Sequence, residues 1–519
     1  MDTKALRQKI LDLAIRGKLV PQDPNDEPAE VLLERIREQK QQMFKEGKLK
    51  KKDIKNDTII FKGEDNLHYE KFQDGTVKCI EDEIPFEVPE GWAWCKLNDI
   101  YNFIDYRGAT PTKITNGIPL VTAKNVKSGY IDYTIDDYIS EEEFKERQQR
   151  GISKKGDILF TTEAPLGNAA LADMEKFSAG QRLITFQQYG SKNELINYVM
   201  LMFILSDFFQ QQLYVNKTGS TVAGIKAAIL KTLWIPVPPY NEQLRISNTL
   251  KSAINLIDSI SKNKEILSTS ISNTKSKILD LAIRGKIVPQ DPNDEPASVL
   301  LERIRAEKEE LIKQGKIKRD KKESVIFKGD DNSYYEKIGN KVNCIDEEIP
   351  FELSEGWAFI RLKTAWELIS GRDLSPSEYN DKNDGIPYIT GASNFRNGHI
   401  SLVRWTTVPQ VITRRGDLLL TCKGTIGEIA HNNFGEAHIA RQIMAIRNIY
   451  SLNVDFLALC IEYSMTKIKQ AAKGLIPGIS REDILNLVIP IPPTKEQENI
   501  CNKLKTTFSA IEHIEKSLN

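Results

Sequence analysis

The chain of 519 residues is 40% hydrophobic and 28% charged, and its 72 lysines and arginines balance its 72 aspartates and glutamates. This length and apolar content predict three or four domain-sized pieces with hydrophobic cores and exclude a disordered chain. The neutral balance counts mildly against a DNA-binding protein, because phosphate contact usually leaves a basic surplus. A local basic face offset by an acidic scaffold would still bind DNA.

Targeting and redox features indicate a cytoplasmic protein. The charged start MDTKALRQK lacks signal-peptide character, and no apolar run approaches about 18 residues. Six cysteines without CxxC spacing fit reduced thiols better than a disulfide framework or a zinc site. Cys79 and Cys344 occupy equivalent places in an internal repeat, and we expect both to be small buried residues.

That internal repeat organises the whole chain. The sequence ILDLAIRGKLVPQDPNDEPAEVLLERIREQK at residues 10–40 recurs at 278–308 with four substitutions. In each copy RGK ends a helix, the next prolines hold the chain extended, and the last proline opens a second helix. In the first copy Val31, Leu32 and Ile36 share one face of that second helix. Such near-identity marks a duplicated scaffold.

Each copy continues through a basic run, a hairpin and a tryptophan. The runs Lys48–Lys55 and Lys316–Lys322 are interpreted as a solvated helix end and loop, with phosphate contact as the alternative. The segments IIFKGEDNLHYEKF and VIFKGDDNSYYEKI predict short strands in hairpins. Trp92 in EIPFEVPEGWAW and Trp357 in EIPFELSEGWAF are predicted to be packing anchors at a domain boundary.

After these tryptophans the copies diverge over residues 95–234 and 360–488 but keep the same landmarks. The first insert contains GIPLVTAKNVKSGYI, which aligns with GIPYITGASNFRNGHI in the second. It also contains KKGDILFTTEAPLGNAAL, which aligns with RRGDLLLTCKGTIGEIA. Short β runs between glycine turns, with a buried helix predicted at YVMLMFIL, describe an α+β domain. The two inserts share their turn and strand motifs but differ at most other residues. This pattern predicts that they recognise two different versions of one kind of ligand.

A long helix from about Asn241 to Ile283 is predicted between the two copies. Steps of four and three residues along it follow an apolar seam that is broken only by Lys264 and Thr274. Such a narrow stripe predicts a partner helix rather than a globular core. The large apolar residues of the seam are Ile246, Leu250, Ile257, Ile260, Leu267, Ile271, Ile278 and Leu281.

The two chain ends together match this helix. A shift of 254 residues aligns the C-terminus with its first half, and a shift of 268 residues aligns the N-terminus with its last part. The aligned seam residues are Ile500, Leu504, Ile511 and Ile514, and then Leu6, Ile10 and Leu13. We therefore expect an antiparallel pair of long helices, one continuous and one built from both termini. At about 1.5 Å per residue the seam would run roughly 50 to 60 Å and act as a ruler.

The sequence shows no catalytic constellation. VPPY at 237–240 is similar to the Asp/Asn-Pro-Pro-Tyr loop of amino-methyltransferases, but its first residue lacks the polar oxygen which that chemistry needs. Asp417 with TCK at 421–423 would suit a metal-dependent nuclease, but the other copy has Asp157 with TTE at 161–163, which disfavours this interpretation. The five histidines show no paired metal spacing. We expect this chain to bind no metal or cofactor and to catalyse no reaction.

Residues suited to DNA contact are better represented. Lysine and arginine bind phosphates, and Arg, Asn, Gln, Ser or Thr read base edges. Each candidate taken alone is better explained as an ordinary surface residue, but the candidates cluster at the glycine turns of both inserts. Those in the first insert are Arg107, Lys113, Lys124, Asn125, Lys127, Lys154, Lys155, Arg182, Lys217, Thr218 and Ser220. Those in the second are Arg372, Asn394, Arg396, Arg404, Arg414, Arg415, Lys423, Arg441, Gln442 and Lys473.

Over essentially its whole length the chain resembles the specificity subunit of type I restriction-modification systems. The resemblance lies in ILDLAIRGKLVPQDP, GWAWCKL with GWAFIRL, GDILFTT with GDLLLTC, PGIS, and IPVPPYNEQ with IPIPPTKEQ. AGIK at 223–226 departs from the PGIS form. The resemblance implies an α+β fold in which two globular α/β target-recognition domains are joined by an antiparallel pair of long coiled-coil helices, as a pseudo-twofold, circularly permuted repeat.

The resemblance also implies five regions. They are 1–46, the N-terminal half of a distal conserved helical region; 47–240, the first target-recognition domain with its lead-in; 241–315, the central conserved helical region; 316–494, the second target-recognition domain with its lead-in; and 495–519, the C-terminal part of the distal region.

In function, the resemblance implies that each domain reads one half of a split, asymmetric site on double-stranded DNA. The helices would set the spacer and dock two adenine-N6 methyltransferase subunits, which use S-adenosylmethionine that this chain does not bind. Two restriction subunits, motor-nucleases that use ATP and Mg, would complete the complex. The residues alone leave two alternatives open: a stand-alone sequence-specific DNA-binding regulator and a protein-assembly scaffold.

Overall fold

The computed structural model describes residues 2–55, 57–106, 110–134, 137–148, 151–189, 194–219, 223–317, 319, 323–396, 398–450, 452–471 and 478–518. The chain divides into two compact units, Met1–Lys264 (unit 1) and Glu265–Asn519 (unit 2). Both units mix helices with largely antiparallel sheets, so the predicted α+β class with two domains is confirmed. The finer division into five regions stays a prediction.

Unit 1 begins with helices and then alternates short helices with strands. Its helices are α1 (Thr3–Ile15), α2 (Ala29–Lys45), α3 (Lys51–Ile54), α4 (Leu97–Ile100), α5 (Glu141–Arg147), α6 (Asn197–Ile204), α7 (Asp207–Val215), α8 (Ala227–Leu230) and the start of α9 (Tyr240–Ile283). Its strands are β1 (Ile59–Lys62), β2 (His68–Lys71), β3 (Val77–Cys79), β4 (Ala93–Lys96), β5 (Tyr101–Asp105), β6 (Ile118–Val121), β7 (Tyr138–Ile139), β8 (Ile158–Thr162), β9 (Leu166–Leu171), β10 (Ser178–Ala179), β11 (Leu183–Gln188) and β12 (Trp234–Val237).

Unit 2 repeats this plan after the end of α9. Its further helices are α10 (Ala297–Lys313), α11 (Leu362–Ala365), α12 (Val454–Ala471), α13 (Arg481–Leu485) and α14 (Thr494–Leu518). Its strands are β13 (Ser324–Lys328), β14 (Tyr334–Ile338), β15 (Lys341–Cys344), β16 (Ala358–Arg361), β17 (Trp366–Ser370), β18 (Ile386–Ile389), β19 (Phe395–Arg396), β20 (His399–Ile400), β21 (Trp405–Thr406), β22 (Ile412–Thr413), β23 (Leu418–Thr421), β24 (Ile429–His431), β25 (Ala437–Ile439), β26 (Ile443–Asn448) and β27 (Val488–Ile491).

The main sheet of each unit has one topology and one register. Its strand order is β5-β11-β8-β9 in unit 1 and β17-β26-β23-β24 in unit 2. Leu159 faces Thr185 in the first sheet, and Leu419 faces Ala445 in the second. Adding 260 to a residue number in β8 or β11 therefore gives the equivalent residue of unit 2.

The RGK motif ends a helix for a steric reason. Gly17 follows α1 with φ +64°, and a Cβ there would lie 2.3 Å from Cγ of Pro89. Gly285 follows α9 with φ +69°, where a Cβ would lie 2.8 Å from Cζ2 of Trp357. Only glycine combines a left-handed backbone with so close an approach, so the motif fixes where each scaffold helix meets its domain.

The two predicted tryptophan anchors are confirmed as packing residues. Trp92 is 6% exposed and donates from Nε1 to Glu242 at 2.9 Å. Trp357 is 9% exposed and donates to Glu496, also at 2.9 Å. Each tryptophan thereby ties the first turn of a scaffold helix, α9 or α14, to the core of its own unit. Burial raises the pKa of the Glu242 carboxyl above its ordinary range.

Inside each unit, ion pairs show that the scaffold helices run antiparallel. In unit 1, Arg7 of α1 pairs with Asp258 of α9, and Asp26 pairs with Arg245. Ascending numbers on one segment thus meet descending numbers on the other. In unit 2, Lys275 of α9 lies 2.8 Å from Glu515 of α14, and Asp294, beyond the end of α9, lies 3.8 Å from Lys495 at the start of α14.

Burial along the predicted seam is uneven, which corrects part of the prediction. Ile246, Leu250, Ile257, Ile271, Ile500 and Leu504 are buried, and Ile260, Ile278, Leu281, Ile511, Leu6, Ile10 and Leu13 are half-buried. Leu267 is 40% and Ile514 is 51% exposed. Toward the end of α9 the buried positions include Leu279 and Ala282, one residue beyond the strict repeat, and the last residue, Ile283. A helix of 3.6 residues per turn drifts by about 20° per heptad from a seven-residue repeat, which accounts for this shift.

The burial predicted for three residues was wrong. Cys79 and Cys344 are exposed, because they lie on β3 and β15, whose residues are exposed throughout. Val31 is 44% exposed although Leu32 and Ile36 on the same helix are buried. The buried helix predicted at YVMLMFIL is confirmed as α6, and the predicted hairpins are confirmed as β1-β2-β3 and β13-β14-β15.

Among the described residues, none of the helices combines the length and apolar character that spanning a membrane requires.

Candidate nucleic-acid interface

One corner of the main sheet in unit 1 brings three separate segments together. The backbone N of Thr162, at the end of β8, donates to O of Arg182 at 2.9 Å. The backbone N of Ile225 donates to O of Thr162 at 3.0 Å, and Glu163 forms a β-bridge with Gly224. We call this meeting of the β8–β9 turn, the residues before β11 and the segment around Gly224 the unit 1 corner.

Unit 2 builds the same corner with the same backbone bonds. The backbone N of Cys422 donates to O of Gln442 at 2.8 Å, and N of Ile479 donates to O of Cys422 at 2.9 Å. Lys423 forms a β-bridge with Gly478. The AGIK segment at 223–226 and the segment around Gly478 therefore hold equivalent positions, although AGIK departs from the PGIS form.

Buried polar side chains hold both corners. The hydroxyl of Thr161 accepts from the backbone N of Asn168 at 2.9 Å, and that of Thr421 accepts from N of Glu428 at 2.9 Å. Both threonines are fully buried. Their role is to fix each hairpin at the point where it leaves the sheet.

Asp417, at the opposite end of β23 from the corner, is a structural residue. Its carboxylate accepts from the Thr413 hydroxyl at 2.9 Å, from the backbone N of Arg414 at 2.8 Å and from Arg447 at 2.8 Å and 3.0 Å. These bonds explain the aspartate structurally and disfavour a nuclease role. The described residues also contain no cluster of three His, Cys, Asp or Glu side chains placed to hold a metal ion.

The candidate cations of unit 1 are exposed, and several pair with acids. Lys124 and Lys154 lie at the surface, and Lys127 is half-buried, with Nζ 3.8 Å from Asp132. Lys113 pairs with Asp137 at 2.6 Å and Lys155 with Glu175 at 2.7 Å. Surface pairs of this kind contribute little stability, so these cations can exchange their acids for phosphates at small cost.

Arg182 and the segment around residue 217 are exposed at the unit 1 corner. Nε of Arg182 lies 3.1 Å from Glu163, and Lys217 places Nζ 5.6 Å from the centre of the Tyr214 ring. Thr218 is exposed and exchanges backbone hydrogen bonds with Gly224 at 2.7 Å and 2.9 Å.

Unit 2 presents mainly arginines. Those at the surface are Arg372, Arg396, Arg404, Arg414, Arg415 and Arg441, together with Lys423 and Gln442. The guanidinium of Arg404 stacks 4.9 Å from the centre of the Tyr379 ring, and Arg441 pairs with Asp373 at 2.6 Å. Stacked and paired guanidinium groups are held in place, which suits directional contact with base edges.

Sequence reasoning missed the buried residue that positions Arg372. His438 is fully buried, and its Nε2 donates to the backbone O of Arg372 at 2.8 Å, while N of Arg372 donates to O of Ile439 at 2.9 Å. Burial lowers the pKa of His438, which keeps the imidazole neutral. A histidine 66 residues away in the chain carries no sequence signal of this role.

Two predicted DNA contacts are corrected by their burial. Asn125 is 3% exposed; its Oδ1 accepts from N and the hydroxyl of Thr122, and its Nδ2 donates to O of Asp132 at 2.9 Å. Asn394 is 1% exposed and repeats this arrangement with Thr390, donating from Nδ2 to O of Ser401 at 2.8 Å. Both asparagines close a loop with their own side chain, as asparagine commonly does in turns. Neither is presented to a ligand.

Three candidates, Arg107, Ser220 and Lys473, lie outside the described residues. Glu163 was not among the candidates, although it pairs with Arg182. The signal that could have found it is the alignment of GDILFTTE with GDLLLTCK, where an acid and a lysine hold one position.

Comparison with known proteins gives consistent relatives. The chain is 27% identical over 592 aligned residues to the type I restriction enzyme EcoAI specificity subunit of Escherichia coli, covering 97% of this chain and 90% of that protein. It is 26% identical to the EcoEI specificity subunit of the same species, over 99% and 90% of the two chains.

A solved structure that describes complex assembly and conformational transition of the type I R-M system has the same fold. It matches with a TM-score of 0.59 and 19% identity, over 84% of this chain and 94% of the other. The family model for the type I restriction modification DNA specificity domain matches twice, at residues 89–268 and 354–519. One match falls mainly in unit 1 and the other wholly in unit 2, so the chain belongs to the type I restriction-modification DNA specificity family.

Proposed function

We propose that this chain is the DNA-recognition subunit of a type I restriction-modification complex, in which each unit reads one half of a bipartite, asymmetric site. The observation that carries this proposal is the pair of corners. Both rest on the same buried frame, but they present different side chains, with Glu163 and Arg182 in one and Lys423 and Gln442 in the other. A duplicated frame with divergent surfaces suits the reading of two unlike half-sites.

We further propose that α9, paired with α1 and α14 as an antiparallel coiled coil, sets the spacer between the half-sites. The pseudo-twofold repeat of the sequence and the antiparallel ion pairs within each unit support this role. The same helices would dock two methyltransferase subunits. The cofactors, S-adenosylmethionine and ATP with Mg, would bind to the methyltransferase and restriction subunits, and this chain would contribute recognition without catalysis.

A domain exchange tests the independence of the two readers. Residues 95–234 are replaced by the matching insert of a relative with a different target, and the methylated motif is mapped in cells that carry the methyltransferase subunit. One half-site should change while the other stays constant. The matched control replaces 360–488 and should change only the other half. A change in both halves after either exchange contradicts the proposal.

An insertion tests the spacer role separately. Adding four residues between Ser268 and Ser272 lengthens α9 by about 6 Å and about one helical turn. The gap between the half-sites should change while both half-sites stay the same. An unchanged gap would contradict the spacer role of α9 without affecting the proposed recognition of the half-sites.

Binding titrations test the need for a partner. Fluorescence anisotropy on the mapped site and on random-sequence duplex should show strong preference for the mapped site only when the methyltransferase subunit is present. Affinity should fall steeply with salt, since phosphate contacts release counterions. Tight, specific binding by the chain alone would instead indicate a stand-alone regulator, and no DNA binding at all would indicate an assembly scaffold.

A further inference from the structure

Arg182 and Gln442 are equivalent residues by two independent criteria. Each accepts, through its backbone O, a hydrogen bond from the residue where the β8 or β23 strand ends, at 2.9 Å from N of Thr162 and 2.8 Å from N of Cys422. Each also directly precedes the start of β11 or β26, where the shared register separates the two numbers by 260. The same backbone position therefore carries a guanidinium in unit 1 and a carboxamide in unit 2.

In unit 1 this position is held in an unusual conformation. Arg182 has φ +64°, a left-handed value that non-glycine residues other than asparagine and aspartate adopt rarely. Its side chain is 55% exposed, and Nε lies 3.1 Å from Oε1 of Glu163. Because Nε is the atom that faces Glu163, the two terminal nitrogens of the guanidinium form the edge that is left for a ligand.

In unit 2 the frame makes room for the carboxamide. Gln442 is exposed, and a Cβ on Gly391 would lie 2.4 Å from its Oε1. The φ of Gly391 is 167°, an extended value that any residue adopts, so the absence of a Cβ here provides space for the amide rather than backbone freedom. The missing side chain at Gly391 thus sets where the Gln442 amide lies.

The chemistry of the two groups separates base reading from phosphate binding. Gln442 is neutral, so a position shared by both units is better suited to hydrogen bonding with base edges than to binding phosphate through charge. Arginine pairs bidentately with O6 and N7 of guanine, and glutamine pairs bidentately with N6 and N7 of adenine in the major groove. The equivalent position is therefore suited to reading one base in each half-site.

Building on the proposed function, we propose that Arg182 and Gln442 are equivalent specificity residues, with Arg182 reading a guanine in the half-site of unit 1 and Gln442 reading an adenine in that of unit 2. Glu163 and Gly391 are the positioning residues, because they orient the reading groups without contacting the base.

The test uses the full chain with its methyltransferase subunit and a duplex library randomised at both half-sites. Arg182→Gln should replace a guanine by an adenine at one position of one half-site, and Gln442→Arg should make the reverse change in the other. The preference for the original base should fall by about 5- to 150-fold, as expected for one bidentate pair. Gly391→Ala should weaken the adenine preference of unit 2 alone, since it displaces the amide but not the backbone.

The matched control is Lys176→Gln, which removes another exposed cation of unit 1 that, like Arg182, pairs with an acid, Glu141, but is not part of the corner. It should leave every base preference unchanged. If Arg182→Gln lowers affinity equally for all sequences and reduces the salt dependence, Arg182 binds a phosphate and the assignment is wrong. The assignment is also wrong if the wild-type complex is selective and both exchanges leave its preferences intact. A wild-type complex without any sequence preference would overturn the proposed function itself, and this inference with it.

Discussion

In unit 1 the buried carboxyl of Asp157 accepts hydrogen bonds from N of Lys154 at 2.7 Å and from Nε2 of Gln187 at 2.8 Å. In unit 2 the equivalent Asp417 has Arg447 in place of that glutamine, at 2.8 Å and 3.0 Å. Burial raises the pKa of Asp157 to about 6, whereas the arginine supplies Asp417 with a full countercharge. Both units thus have a buried aspartate at this position, but a glutamine binds it in unit 1 and an arginine binds it in unit 2.

The junction between the hairpin sheet and the first strand after the tryptophan shows the same contrast. Lys96 pairs with Glu70 and places Nζ 5.4 Å from the Trp234 ring. Its counterpart Arg361 binds Glu336 at 2.7 Å and 3.1 Å and also Glu348 at 2.7 Å. At both places the two units share the position of a buried acidic side chain, whereas the residue that pairs with it differs between the units.

Removing Arg361 should have the largest effect on stability. Arg361→Ala leaves Glu336, whose side chain is 8% exposed, without its cation, and losing one partner of a buried pair costs about 3–5 kcal/mol. Hydrogen exchange of peptides from β14 and β16 should show the loss in unit 2 alone. Lys96→Ala in unit 1 is the matched control and should cost less, because Glu70 keeps the Thr58 hydroxyl at 2.6 Å. Equal losses would show that guanidinium and ammonium serve this position equally.

Alongside the buried Asp99, whose pKa is also raised to about 6, Asp157 should make the stability of unit 1 depend on pH. Its pKa is raised from 3.8 to about 6 in the folded state, so the folded state binds the proton more tightly than the unfolded state. The free energy of unfolding should therefore fall as the pH rises from about 4 to about 6, by about 3 kcal/mol in total. Asp157→Asn should remove the Asp157 part of this slope when denaturant unfolding is compared at pH 4.5 and 7, while the buried Asp99 keeps its own contribution. Asp417→Asn, by contrast, should destabilise unit 2 at pH 7, since Arg447 loses its partner; a stabilising effect would contradict the comparison.

Arg447→Gln should convert the site of unit 2 into that of unit 1. The glutamine restores one hydrogen bond but no charge, so unit 2 should lose about 2 kcal/mol at pH 7. Its stability should then also fall between about pH 4 and pH 6, as expected for an aspartate without an arginine. Hydrogen exchange of β23 and β26 at several pH values measures both effects. A loss that does not depend on pH would mean that Arg447 acts through packing rather than charge.

The tryptophan anchors should show the smallest effect and the least difference between the units. Trp92→Phe and Trp357→Phe each remove one hydrogen bond to a buried glutamate, Glu242 or Glu496, and each should cost about 1.5 kcal/mol, the lower end of the range for a bond to a charged group. Thermal unfolding of the two variants measures the loss. A much larger loss for one variant would show that the duplicated anchors are not equivalent.

Local sequence signals were sufficient for the scaffold. The helix predicted from about residue 241 is α9, which begins at Tyr240 and ends at Ile283. Apolar spacing, a preceding Pro-Pro pair and the glycine of RGK together define both ends of this helix, since these signals act over a few residues. The two tryptophans were recognised as anchors for the same reason, but Glu242 and Glu496, to which they donate, were not.

The interface was less predictable, because exposure depends on distant parts of the chain. Asn125 and Arg182 look alike as polar residues near a glycine turn, yet Asn125 is 3% exposed and the Arg182 side chain is 55% exposed. Asn125 is buried because its own loop folds back over it. Arg182 is exposed because a backbone bond to Thr162 holds it where a hairpin leaves the sheet.

The sequence by itself determined that the chain is a duplication, where the long helix begins and ends, and which two inserts carry the variable surface. These properties follow from spacing and side-chain chemistry that act within one or two turns of the chain. Only the tertiary structure decided that Arg182 and Gln442 occupy equivalent positions beside the main sheet. It also decided that the buried carboxylates of Asp157 and Asp417 bind different partners. Such relations depend on strand register, which brings together residues that are far apart in the chain.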